Sequence, residues 1–179
     1  MSTTTIITLI GLSGAGKSSV GRMLANHLGW ALFDTDAQIE WSSGQSIPAI
    51  FASKGEAGFR DLEEAVVRQA LSGQRRVVAT GGGAILREAS RQLMRERSLV
   101  IWLDAPTEAL IARLRLHDEQ RPLLASGDPV ARLNALRQDR EPIYAATAHL
   151  RIETTGLRHA EIVAQILDRY KHLTEGTAL

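Results

Sequence analysis

Gly11-Leu12-Ser13-Gly14-Ala15-Gly16-Lys17-Ser18 constrains this chain most, because it matches a phosphate-binding loop that requires a strand before it and a helix after it. Both are legible in the neighbouring residues. Thr5 to Ile10 is a β-branched run ending at Gly11, and Val20, Met23, Leu24, His27 and Leu28 then recur at helical spacing up to a closing Gly29. Glycines let the backbone turn successive N–H groups toward phosphate oxygens, and the positive end of the following helix adds to their pull. Gly14, Ala15, Gly16, Lys17, Ser18 and Ser19 are therefore expected to hold ATP, with Lys17 reaching the β and γ phosphates and the Ser18 hydroxyl placed for Mg²⁺. The plainer alternative is a glycine-rich turn that merely opens a helix; the full pattern in its strand-loop-helix setting speaks against it.

Elsewhere short apolar runs alternate with helix-period segments, the pattern of a parallel sheet covered on both faces, so the class is α/β. Strands are expected at Ala31 to Phe33, Arg76 to Thr80, Leu99 to Leu103 and, as an exposed edge, Leu150 to Ile152. Helices are expected near 56–72, 86–96, 107–117, 129–146 and 159–172, and Asp118 to Pro129 reads as a loop rich in charge, Pro and Gly. With 179 residues, 44% of them hydrophobic, the chain can bury one ordinary core, so 1–179 is expected to form a single domain.

The charge balance narrows the ligand. Twenty-one basic against 20 acidic residues, with no basic block, argue against a nucleic-acid or membrane footprint and for a small molecule. Cysteine is absent, which excludes disulfides and thiolate metal sites, and the five histidines lie too far apart to pair around a metal, so none is assigned a role. The first apolar segment is too brief for a signal sequence or a membrane span, and a cytoplasmic location is the expectation.

A phosphate loop does not separate kinase from GTPase, ATPase or sensor; the acceptor side must be read from other residues. Asp34-Thr35-Asp36 follows the second strand, at the carboxyl end where open α/β sheets bind ligands. One carboxylate can serve the metal and the other can accept a hydrogen bond from an attacking hydroxyl, or either can simply cap the next helix. Gly81-Gly82-Gly83 at the end of the third strand allows close backbone approach to a ligand or makes a tight turn. Arg60 and Arg140 could clamp a carboxylate, although a single arginine is more often a solvated surface residue. Arg121-Pro122-Leu123-Leu124 puts a cation on a loop that could close over the phosphates.

Taken together, Gly11 to Ser18, Asp34-Thr35-Asp36, Phe59-Arg60 with Glu63, Gly81 to Gly83, Arg121-Pro122-Leu123-Leu124 and Arg140-Glu141-Pro142-Ile143-Tyr144 resemble shikimate kinase, in order and in spacing, over about residues 5–172. The resemblance implies a three-layer P-loop kinase fold of the nucleoside monophosphate kinase type, with a five-stranded parallel sheet in order 2-3-1-4-5. It also implies a shikimate-binding segment around 35–62, a lid around 113–127, and transfer of the γ-phosphoryl group of ATP to the 3-hydroxyl of shikimate. By the same resemblance Lys17, Asp36 and Arg121 would be catalytic, with Asp36 at the substrate hydroxyls as candidate base. Arg60, Gly82 and Arg140 would hold the rest of shikimate, Phe51 and Phe59 would wall its ring, and Ser18 with Asp34 would serve Mg²⁺. A monomer is the simpler arrangement for a lidded enzyme of this size.

Three features remain open at this stage. The segment after the last strand, Thr154 to Arg158, lacks the family's usual basic or Pro-containing adenine loop and offers only Arg158. Asp104 closes an apolar strand as a Walker B acid would, and competes with Asp34 for the metal unless it helps start the helix at Pro106. A gluconate kinase would share the phosphate loop but should lack the arginine pair, aspartate pair and glycine triplet together; a non-catalytic sensor should have lost Lys17, Asp36 or Arg121.

Overall fold

The computed structural model describes residues 5–117 and 128–175. In chain order these form β1 (Ile6–Ile10), α1 (Lys17–Leu28), β2 (Ala31–Asp34), α2 (Thr35–Ser43), α3 (Ile47–Leu71), β3 (Arg76–Ala79), α4 (Glu88–Arg97), β4 (Leu99–Asp104), α5 (Thr107–His117), α6 (Pro129–Thr147), β5 (Leu150–Glu153) and α7 (His159–Glu175). The strands pair in parallel in the order β2-β3-β1-β4-β5. This is the order that the resemblance implied, and β5 is indeed an edge.

Central strands of a parallel sheet are covered on both faces and so read as continuous apolar runs rather than alternating ones. All residues of β1 and β4 are buried, and Thr8, between Val78 and Val100 in register, satisfies its hydroxyl on Ser98 Oγ at 2.7 Å. Helices close over this layer through short stripes: Val20 and Leu24 from α1, and Ile162, Val163 and Ile166 from α7, join the same core. Each such side chain contributes about 1.5–3 kcal/mol of transfer free energy. Trp30 meets Tyr170 edge to face at 5.8 Å, tying the end of α1 to α7.

A second, smaller cluster of Ile39, Ile50, Phe59 and Val66 lies under α2 and α3. Here the structure adds to the sequence reading, which weighed a helix capped by Asp34 or Asp36 but gave bounds to none before 56. Asp34 starts α2, its side chain accepting from the N–H groups of Asp36 and Ala37, and Ser46 starts α3, ahead of Pro48. Within α3, Gly55 (φ 68°, ψ −177°) breaks the helix, so the expected segment beginning near 56 is its second half. No helix among the described residues is long and apolar enough to cross a membrane.

Candidate active site

The carboxyl ends of β1, β2 and β3 open into a cleft of about 390 Å³ that Lys17, Ser18, Asp34, Asp36 and Gly82 line together. The loop from β1 to α1 turns at Gly11, Gly14 and Gly16, all with positive φ, a backbone region that favours glycine. Gly11 has φ 142°, and a Cβ there would lie 2.3 Å from the Leu103 carbonyl oxygen. Lys17 is buried, and its ammonium donates to the carbonyls of Gly11 and Leu12 at 2.8 and 2.9 Å, folded across the loop it would serve.

The three residues Asp34-Thr35-Asp36 divide the work. Asp34 Oδ1 caps α2, accepting from the backbone of Asp36 and Ala37 at 3.1 and 3.3 Å, while its Oδ2 accepts from Ser18 Oγ at 2.6 Å. The capping role and the expected place beside Ser18 are thus both present, one on each oxygen. Thr35 turns inward, fully buried, and its hydroxyl accepts from the Gly81 N–H at 3.0 Å. Sequence reasoning missed Thr35, although its place between two outward carboxylates was the available signal.

The glycine triplet owes its composition to what presses on it. A Cβ on Gly81 would lie 2.5 Å from Asp36 Oδ1 and 3.0 Å from Glu63 Oε1, and one on Gly83 would lie 2.2 Å from Arg60 Nη1. Gly82 faces the phosphate loop, and its carbonyl accepts from Arg140 Nη1 at 3.1 Å and from the Tyr144 hydroxyl at 2.6 Å. The triplet is therefore the floor on which Asp36, Arg60 and Arg140 converge.

Arg60 is held rather than solvated. Its Nη1 meets Glu63 Oε2 at 2.5 Å, its Nη2 reaches Glu56 at 3.4 Å, and its guanidinium lies 5.1 Å from the centre of the Phe59 ring. Its Nε is the one buried side-chain nitrogen or oxygen among the described residues that lacks a hydrogen-bond partner, so an incoming acceptor finds the group under-bonded. Burial pushes the Glu63 carboxyl above its ordinary range, an effect that the Arg60 charge opposes and the nearby Asp36 charge adds to. Phe51 and Phe59 stack at 4.4 Å beside this group, the arrangement expected of a wall.

The two open side chains both have ion-pair partners. The buried carboxylate of Asp104 pairs with Arg137 Nη2 at 3.0 Å and Arg151 Nη2 at 2.5 Å. Its carbonyl meanwhile accepts from the Thr154 hydroxyl at 2.9 Å, so Asp104 joins β4 to β5 and α6. Arg158 is exposed and engaged with Glu161 at 3.2 Å, whereas the next residue, His159, lines the cleft, 3.6 Å from where a Cβ of Gly16 would stand. Arg113 is a second charged or titratable lining residue to which the sequence gave no role; it is held by Thr154 Oγ1 and O at 2.9 and 2.8 Å. Neither belongs to a recognisable motif, and each reaches the cleft only because α5 and α7 flank the phosphate loop. Arg121 and most of the expected lid, 113–127, lie outside the described residues.

Comparison with known proteins points one way. The family model described as shikimate kinase matches residues 13–171. A shikimate kinase of Symbiobacterium thermophilum is 45% identical over 172 residues, covering 94% of this chain and 98% of its own. One from Halorhodospira halophila is 47% identical over 162 residues, covering 90% of this chain and 91% of its own. Among solved structures, a shikimate kinase from Acinetobacter baumannii in complex with shikimate superposes with a TM-score of 0.89 at 38% identity, covering 99% of this chain and 96% of that one.

Proposed function

The chain belongs to the shikimate kinase family, and from that premise we propose that it transfers the γ-phosphoryl group of ATP to the 3-hydroxyl of shikimate, giving shikimate 3-phosphate and ADP on the route to chorismate and the aromatic amino acids. The observation that carries the reading is the glycine triplet, where a carboxylate and two guanidinium groups crowd against backbone that faces the phosphate loop.

In this reading the phosphate loop from Gly14 to Ser19 holds the ATP phosphates through its N–H groups. Lys17 leaves the carbonyls of Gly11 and Leu12 for the β and γ oxygens, where charge builds during transfer. Asp36 accepts a hydrogen bond from the 3-hydroxyl and aims it for in-line attack, taking its proton as the bond to phosphorus forms. Arg60 and Arg140 take the carboxylate, Gly82 approaches the ring through its backbone, and Phe51 with Phe59 covers its apolar edge. Arg121 would bring a further cation from the segment 113–127 and, with lid closure, keep water from the γ-phosphoryl group.

Ser18 Oγ and Asp34 Oδ2, 2.6 Å apart, are hard oxygen donors of the kind Mg²⁺ prefers. Ser18 would ligate the ion directly and Asp34 through a coordinated water, since Mg²⁺ gives up water reluctantly. Held there, Mg²⁺ would supply neutralisation of the charge on the phosphate oxygens. We further read the chain as one kinase domain with its acceptor segment at 35–62, acting as a cytoplasmic monomer without nucleic-acid or membrane partners.

ADP release measured with shikimate, gluconate and AMP as acceptors tests this. Turnover is expected with shikimate alone, and Asp36→Asn should lower kcat by about 10²- to 10⁴-fold. Equal turnover with all three acceptors, or none with shikimate, would overturn the assignment.

A further inference from the structure

Arg140 and Tyr144 stand one turn apart on α6 and donate to the same atom. The Gly82 carbonyl oxygen receives Arg140 Nη1 at 3.1 Å and the Tyr144 hydroxyl at 2.6 Å, which occupies both of its lone pairs. The two donors differ in how they are held. Tyr144 is 1% exposed and its ring stacks on Trp102 with centroids 5.7 Å apart, so its hydroxyl has one place to be. Burial raises the phenol above its ordinary range, against the opposing charge and hydrogen bond of Arg140, so the hydroxyl is a neutral donor. Arg140 is only partly buried, sits on a long side chain, and carries donors beyond the one it spends on Gly82.

An acceptor carboxylate that draws the Arg140 guanidinium toward itself, to meet it with two donors, competes with Gly82 for Nη1. If Arg140 were the only donor to that carbonyl, its departure would strand a polar group beneath the ligand, and the cost would be subtracted from acceptor affinity. With Tyr144 in place the carbonyl stays paired. We propose that Tyr144 is a positioning residue: by holding the Gly82 carbonyl it releases Arg140 to the acceptor's carboxylate and fixes the Gly81 to Gly83 floor while that exchange takes place. The proposal rests on the reading that Arg140 takes the carboxylate.

Tyr144→Phe keeps the ring on Trp102 and removes only the hydroxyl. In the full-length enzyme its KM for shikimate should rise by about tenfold, the scale of one net hydrogen bond, with kcat and the KM for ATP within about twofold. With the methyl ester of shikimate, which offers Arg140 no charge, wild type and Tyr144→Phe should behave alike. In an Arg140→Ala background, adding Tyr144→Phe should change the KM for shikimate by less than about twofold, because the competition has gone. A purely structural role predicts something else: losses that multiply with Arg140→Ala, or that are the same for acid and ester, and either result would overturn the proposal. An unchanged KM for shikimate in Arg140→Ala alone would remove the carboxylate reading itself, and the proposal with it.

Discussion

Ser18 donates its hydroxyl to Asp34 Oδ2 at 2.6 Å, joining the first turn of α1 to the end of β2, while the other oxygen of the same carboxylate starts α2. The carboxylate is thus oriented before any ion arrives, which matters because Mg²⁺ demands near-ideal geometry. Asp34→Asn keeps a carbonyl oxygen for the cap and loses the charge. The Mg²⁺ concentration needed for half-maximal ADP release should rise by about 10- to 100-fold, with the KM for shikimate unchanged. A magnesium titration at fixed ATP and shikimate checks this; an altered shikimate KM at an unaltered Mg²⁺ requirement would move Asp34 to the acceptor side.

The contacts at the glycine triplet separate two losses by position. Gly83→Ala puts a methyl group 2.2 Å from the present place of Arg60 Nη1, and that flexible guanidinium, not the backbone, must move. Stability should fall by about 1–3 kcal/mol, because moving Arg60 loosens its pair with the buried Glu63, while the KM for shikimate rises by roughly tenfold. Gly81→Ala instead meets Asp36 Oδ1 at 2.5 Å, so its loss should appear in kcat. Initial-rate kinetics on the two variants, with thermal melts as control, distinguish a KM effect from a kcat effect; the same loss in both would mean the triplet acts only as a turn.

How much of this was legible depended on whether a residue's neighbours in sequence are also its neighbours in space. The phosphate loop announces itself because strand, turn and helix form one contiguous unit, and β1 and β4 are readable because burial on both faces leaves only apolar residues. α2 was not readable: within Thr35–Ser43 only Thr35 and Ile39 are buried, so it carries almost no stripe, and its start signal, Asp34, also looked like a ligand. The first half of α3 was hidden in a similar way, since Gly55 breaks the pattern before a long enough window accumulates. Asp104 could not be read for the same reason. A strand ending in an acid has the pattern of a metal ligand or of a helix start, whereas its ion-pair partners Arg137 and Arg151 arrive from 33 and 47 residues away.

That ion-pair cluster makes a prediction of its own. Removing the buried carboxylate in Asp104→Ala leaves two guanidinium groups that Glu141 still approaches, at 3.3 Å from Arg137 and 3.9 Å from Arg151, and Arg151 is half exposed, so neither charge is left fully uncompensated. The expected cost is about 1–3 kcal/mol in denaturant unfolding. The Mg²⁺ requirement of the folded variant should stay as in wild type. A raised Mg²⁺ requirement without a loss of stability would return Asp104 to the metal.

His149 gives the fold a dependence on pH that has nothing to do with catalysis. Its Nδ1 accepts the Val100 N–H at 3.0 Å while its own N–H donates to the Val100 carbonyl at 2.9 Å, closing the start of the β4-β5 pairing. An imidazole that accepts through Nδ1 must be unprotonated there. Partial burial, and then the positive charge of Arg95, lower its pKa from the ordinary value of 6.5. The fold therefore favours the neutral ring. The stability this contributes is fully present above pH 6.5 and is lost as the pH falls from there through the lowered folded value. Melting temperatures of wild type should accordingly drop on acidification across that window. His149→Gln, whose amide oxygen can accept without titrating, should lack this part of the slope while sharing any decline due to carboxylates at lower pH. Parallel curves for the two proteins would show that the ring is not held neutral by this bond.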